Sequence, residues 1–178
     1  MASRNPDLRF ETEARMARYA VFLLLGLAVV GLWPVDVLVV RTGEDGTAKE
    51  YPMPLGRVFA TRYLHSVQLS PVEDVYMVRD GLVRQWRGKV QSQNAGLPTV
   101  LPERTRFYLE GPWLVFEGRL PVLEELVLRV GDAVLGRNRL RVGAGEWEAL
   151  YESFAGRRLY FSTERRIFGR AWFTWRKL

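Results

Sequence analysis

The sequence predicts a mainly β domain, an antiparallel sandwich or partly open barrel with one short helix, preceded by a single N-terminal transmembrane helix. Three observations lead there. An uncharged apolar run, Tyr19 to Val35, follows a charged arm. Beyond it the chain breaks into short β-like runs separated by turn signals, with no internal repeat and no low-complexity stretch. Roughly 140 residues remain after the run, the size of one domain with one core.

The arm, residues 1–18, reads as helix. Asn5 suits an N-cap, Pro6 suits the first helical position, and Arg9/Glu13 and Glu11/Arg15 are spaced one turn apart. It is either a charged flank that sets topology or a docking surface for a cytoplasmic or membrane partner. The run 19–35 is at the short end of the about 17 to 25 residues a spanning helix needs. Tyr19 and Trp33 are residue types that settle at the two headgroup interfaces, and Pro34 suits a helix end. Arg4, Arg9, Arg15 and Arg18 precede the run, whereas the nearest cations after it are Arg41 and Lys49. That asymmetry predicts a single-pass protein of the cytoplasmic membrane, N-terminus inside and residues 36–178 outside. A cleaved secretory signal is the competing reading. Its apolar core is typically about 7 to 15 residues, and its leading segment rarely carries acids such as Asp7, Glu11 and Glu13. A buried soluble helix would need a polar face, which the run lacks.

In the remainder, Asp45-Gly46 separates Val37 to Val40 from Tyr51 to Met53, and Asp80-Gly81 separates Val75 to Val78 from Leu82 to Trp86. Both are dipeptides suited to hairpin turns that need positive φ. Glu110-Gly111 separates Arg106 to Leu109 from Trp113 to Phe116 in the same way. Further strands are predicted over Val58 to Val67, Leu126 to Val130 and Asn138 to Val142. The helical exception is Glu146 to Phe154, where Trp147, Leu150, Tyr151 and Phe154 form an apolar stripe that stops before Gly156.

Composition narrows the chemistry. The chain has no cysteine, so disulfides, thiolate metal sites and cysteine nucleophiles are excluded together. The formal charge is +6, and the excess lies after Gly156, where Arg157, Arg158, Arg165, Arg166, Arg170, Arg176 and Lys177 face only Glu164. The single histidine sits in Tyr63-Leu64-His65-Ser66-Val67-Gln68-Leu69-Ser70-Pro71-Val72-Glu73-Asp74. Period-two counting from Phe59 puts Phe59, Thr61, Tyr63, His65 and Val67 on one face. His65 is then either a core histidine bonded to Glu73 or to backbone, bracing the Pro71 turn, or the centre of a polar site. A His65–Ser66 dyad is disfavoured, because adjacent strand residues point to opposite faces. One imidazole with Glu73 and Asp74 falls short of a zinc set. The reading is non-enzymatic, with no metal or cofactor; an envelope hydrolase would require His65→Ala to abolish turnover without unfolding.

His65-Ser66-Val67, then Ser70-Pro71-Val72-Glu73, then Ala95-Gly96-Leu97-Pro98 resembles the family catalogued as domain of unknown function 1850. The resemblance spans approximately Val35 to Val142 and includes Leu126-Val127-Leu128-Arg129-Val130-Gly131. The family pattern has an acid after His-Ser-Val and a glycine before Ala-Gly-Leu-Pro, where this chain has Gln68 and Asn94. Members are small, carry one N-terminal hydrophobic segment, and are often encoded beside TRAP-type transporters of the TAXI class. The resemblance therefore implies an accessory or interaction subunit of such a transporter. Its expected partners are the TRAP membrane subunit, the associated solute-binding protein and the lipid bilayer. It further implies a small polar pocket or rigid contact surface made by His65, Ser66, Glu73 and Gly96. Gly26, Ala28 and Gly31 would allow close packing of the membrane helix.

The C-terminal stretch Arg165 to Lys177 interleaves cations with aromatics. Arg170, Trp172, Trp175 and Arg176 suit a headgroup interface or an acidic partner; the plainer reading is a last aromatic strand with arginines on its solvent edge. Export removes nucleic acid as a partner. The functional alternative is an independent extracytoplasmic module that binds a small solute or saccharide through the His65 region.

Overall fold

A computed structural model describes residues 6–43, 46, 48–91, 105–118 and 121–175. The first element, α1 (Pro6–Leu32), is one continuous helix that starts at Pro6 and carries the charged arm directly into the apolar run. Its stretch Arg15–Leu32 is long and apolar enough to cross a membrane, and none of it is buried against the rest of the chain. The helix ends at Leu32, so the last residues of the apolar run, Pro34 and Val35, belong to the first strand and not to the helix. Proline is the cause: it has no N–H to continue the helical ladder, and its ring pushes Trp33 out of helical geometry.

The domain comprises β1 (Pro34–Thr42), β2 (Ala48–Pro52), β3 (Val58–Leu64), β4 (Pro71–Arg79), β5 (Leu82–Val90), β6 (Arg106–Glu110), β7 (Trp113–Glu117), β8 (Val122–Leu123), β9 (Glu125–Arg129), β10 (Gly136–Val142), β11 (Glu148–Ala149), α2 (Leu150–Phe154), β12 (Arg158–Ile167) and α3 (Phe168–Trp175). All pairings between strands are antiparallel. One sheet runs β2-β1-β12-β9; the other runs β11-β10-β3-β4-β5-β7-β6, with β8 on the free half of β5. The two sheets face each other across one core and do not close on each other, an open sandwich within the predicted fold class.

Alternation explains the layers. Leu38, Val40, Leu159 and Phe161 from the smaller sheet meet Phe59, Tyr76, Val78, Val83 and Leu140 from the larger one. The Phe59 ring stacks on Tyr76 at 5.0 Å and on Phe161 at 5.8 Å between centroids. The other face of β1 is buried too: Val35, Val37 and Val39 lie under Phe168 and Ala171 of α3. This third layer corrects the reading of the C-terminal aromatics as a last strand. The strand β12 ends at Ile167 and the chain turns into helix at Phe168, whose N–H donates to the Trp33 carbonyl at 2.8 Å.

Other predicted elements need smaller corrections. The helix begins at Leu150, not Glu146, because Glu148 and Ala149 pair with β10; it ends before Gly156, as expected. The strand predicted over Val58 to Val67 stops at Leu64. The Asp80-Gly81 turn has the expected positive φ at both residues, 57° and 74°. In the first hairpin Gly46 has φ 65°, while Asp45 lies outside the described residues. The strand β12, the centre of the smaller sheet, was not predicted.

Strand directions give the domain two ends. At the near end β1 leaves α1, the β2–β3 connection turns, and the Asp80-Gly81 hairpin closes. At the far end lie the turn 65–70 and the loop 131–136, side by side because Leu64 pairs with Gly136.

Candidate functional site

The segment from His65 to Asp74 does three separate jobs. His65 leaves the strand and forms the base of a turn. Its N–H donates to the Ser70 carbonyl at 2.9 Å, and its carbonyl accepts from Leu69 at 2.9 Å. The imidazole Nδ1 accepts from the N–H groups of Val67 and Gln68, both at 3.4 Å. His65 is half-buried and not a core residue, and its bonds go to backbone and not to Glu73. Period-two counting fails here because the strand has already ended. The turn this histidine braces is closed and apolar at its tip, with Val67 81% and Leu69 61% exposed.

The neighbouring loop is braced in the same manner. The Asp132 carboxylate accepts from the N–H groups of Val134 at 2.8 Å and Leu135 at 2.6 Å, which lowers its pKa. Asn138 accepts from the Gly131 N–H at 2.7 Å. Val134 and Leu135 point outward. The far end therefore presents four aliphatic side chains on two hydrogen-bonded loops, with Ser66 exposed among them. Isolated exposed apolar residues are ordinary, but adjacent ones held by side-chain hydrogen bonds form a patch suited to a protein surface.

Glu73 faces away from the core. Thr61 pairs with Asp74 and Arg62 with Glu73, so these neighbours alternate to opposite faces of β3 and β4. The Glu73 side chain is only 7% exposed. It accepts from Arg62 Nε at 3.0 Å and Nη2 at 2.5 Å, and Arg141 Nη2 lies 3.7 Å away. Both guanidinium carbons sit 4.5 Å from the Trp147 ring centroid, within cation–π range. Arg62, Arg141 and Trp147 were not predicted site residues. Arg139 and Arg141 flanking Leu140 at period two were the available signal; Trp147 was assigned to the helix stripe.

Asp74 faces inward, beside Tyr63 and Tyr76. Gln85 Nε2 donates to its carboxylate at 2.9 Å. Burial raises its pKa from 3.8 to about 6; the Gln85 bond opposes this and the Glu73 charge adds to it. Burial, then the Asp74 charge, likewise raises Tyr63, and burial leads the rise at Tyr76. The stability consequence follows from the sign. A carboxyl whose folded pKa lies above its unfolded one contributes most below pH 3.8, and that contribution is lost as pH rises to about 6. Asp74→Asn, which keeps an acceptor for Gln85, is expected to stabilise the domain by about 1–2 kcal/mol at pH 8 and by almost nothing at pH 3.5. Thermal melts of both proteins at the two pH values check this.

The other predicted residues fall in several places. Gly26 and Ala28 lie on the exposed surface of α1, with open space around Gly26. Gly31 packs within the chain: a Cβ on Gly169 of α3 would lie 3.3 Å from the Gly31 carbonyl oxygen. Arg170 is exposed on α3, which also carries Trp172 and Trp175. Gly96 and Arg176 lie outside the described residues. The basic C-terminal segment is less lopsided than its sequence, since Arg166 bonds Glu50 at 2.5 Å and Glu164 at 2.6 Å; these bonds, Glu50 first, raise its pKa.

Fold and site together define a mainly β domain, an open antiparallel sandwich joined to one long apolar helix, with braced loops at the end remote from that helix. The chain belongs to the family described as Domain of unknown function (DUF1850), whose model matches residues 59–148, from the third strand to the first residue of β11. No curated protein and no solved structure matches it.

Proposed function

We propose that the chain is a membrane-anchored accessory subunit of a TAXI-type TRAP solute transporter. In this reading α1 crosses the cytoplasmic membrane with the N-terminus inside. Its exposed Gly26 and Ala28 pack on the transporter's membrane subunit, and the far end of the sandwich meets the solute-binding protein. The observation that carries the reading is the separation of two surfaces: an apolar helix at one end of the domain, and an apolar tip on hydrogen-bonded loops at the other. An apolar tip on loops that His65 and Asp132 brace with hydrogen bonds suits docking against another protein. The start of α3 against the end of α1 would set its aromatic and cationic residues at headgroup level.

The test is affinity purification of the full-length protein from native membranes in mild detergent, with mass spectrometry of stoichiometric partners. A TRAP membrane subunit is expected, and is lost when Arg15–Leu32 is replaced by an unrelated apolar helix. Val67→Asp with Val134→Asp should release the solute-binding protein and keep the membrane subunit. A chain recovered alone overturns the reading. It would favour the alternative of an independent binding module, whose support is the inward polar group of Tyr63, Asp74 and Gln85. A ligand-dependent rise in melting temperature would then be sought.

A further inference from the structure

The near end of the sandwich is open. A cavity of about 800 Å³ enters there between the sheets, within the size range of small-molecule sites. Its floor is made by the core residues Met53 and Val78, and its helix side by Val29, Val30, Trp33 and Phe168. Polar groups stand at the rim. Asp36 and Arg165 are cross-strand partners on β1 and β12, and among the described residues they form no salt bridge with each other or with a third group. Arg79 and Asp80 form a second, exposed pair at 3.6 Å, so the rim carries balanced charge. Beside it, on the β2–β3 connection, Leu55 is fully exposed at 104% and held at φ 58°. A non-glycine residue in the left-handed region is strained, and one that turns an aliphatic side chain outward gains nothing from water.

We propose that this cavity holds one phospholipid taken from the bilayer, and the proposal rests on the membrane reading of α1. An acyl chain lies over Met53 and Val78; the headgroup places its phosphate on Arg165 and its ammonium on Asp36; Leu55 dips into the surrounding acyl layer. Position argues for a lipid. Val29 and Val30 belong to the stretch that would cross the membrane, so the mouth of the cavity is continuous with the hydrocarbon layer. Charge argues for the headgroup: a cation and an anion on adjacent strands match a zwitterion better than a purely anionic lipid. The site would also lock the sandwich upright on its helix.

The full chain reconstituted in nanodiscs of equal phosphatidylethanolamine and phosphatidylglycerol, released into mild detergent and weighed by native mass spectrometry, tests this. One phosphatidylethanolamine per chain is expected. Val30→Trp, which puts an indole on the helix side of the cavity and leaves the core unchanged, should lower occupancy about tenfold. Asp36→Lys, a change at the rim that leaves the core intact, should reverse the preference toward phosphatidylglycerol. Absence of bound lipid in the wild type, equal retention by folded Val30→Trp, or no change of lipid class in Asp36→Lys overturns the site. A chain that inserts in the nanodisc without retaining lipid overturns the site alone, whereas a chain that does not insert overturns the anchor and the site together.

Discussion

Glu73→Ala is expected to lower the unfolding free energy of the domain by about 2–4 kcal/mol, read from urea unfolding curves. The carboxylate is nearly enclosed and neutralises Arg62, with Arg141 close by. Removing it leaves two guanidinium groups facing each other beside Trp147, with no anion between them. Loss of one partner of a buried pair costs more than the pair contributes, because the remaining charge stays desolvated. The arginines are about one-third exposed, which keeps the figure below the full cost of a buried orphan charge. Two controls make the number interpretable. In a cycle with Arg62→Ala the two losses should be strongly non-additive. Glu110→Ala removes an acid that also bonds two cations, Arg87 and Lys89, but is half exposed, and should cost less than about 1 kcal/mol.

Gly131→Ala is expected to be at least as damaging, with a loss of about 3 kcal/mol or more and poor recovery of folded protein. A Cβ at Gly131 would lie 2.8 Å from the Gly136 Cα and 2.9 Å from the Leu135 carbonyl carbon, and would collide with the Leu135 oxygen. These are backbone atoms, so no rotamer change relieves the overlap. The loop 131–136 would have to open, breaking the Asn138 bond to the Gly131 N–H and the far-end patch with it. Gly111→Ala is the comparison. Gly111 has φ 59° but open space around it, so alanine there meets only the backbone penalty of the left-handed region, about 1 kcal/mol. If the far end binds a partner, Gly131→Ala should abolish that contact, while Gly111→Ala, in the β6–β7 hairpin, should leave it intact.

Much of the architecture was legible because its signals are local. Asp80-Gly81 needs only two residues with positive φ, and Pro34 ends a helix by its own covalent structure. The long apolar run needs nothing beyond its length to read as a helix. The strand β12 was missed for the opposite reason. Its residues Arg158 to Ile167 carry three arginines and a glutamate, and Leu159 and Phe161 alone mark its inward face. Pairing on both sides by β1 and β9, with Glu50 and Glu164 absorbing Arg166, makes that charged sequence a central strand. Trp147 was drawn into a helical stripe because its spacing from Leu150 and Tyr151 fits one. Pairing of Glu148 with Leu140 overrides that local preference and frees the indole to cover two arginines.

The candidate site divides along the same line. Identity and neighbourhood were readable: one histidine before a Pro71 turn, two acids side by side, and motif residues that the family match includes. Which way each side chain faces depends on where the strand ends and on cross-strand register, and both are set by contacts distant in sequence. The end of β3 at Leu64 instead of Val67 removed His65 from the inner face, and register sent Glu73 outward and Asp74 inward.

By itself the sequence determined the apolar helix, the mainly β class, the positions of the tight turns and the family, since each is written in the order of neighbouring residues. The tertiary structure alone decided that the sheets form an open sandwich, that the C-terminal aromatic segment is a helix against β1, and that Glu73 is clamped on the outer face while Asp74 faces inward. Those outcomes are sums of contacts between residues far apart in the chain, whose energies become comparable with local preference only once the two sheets are brought together.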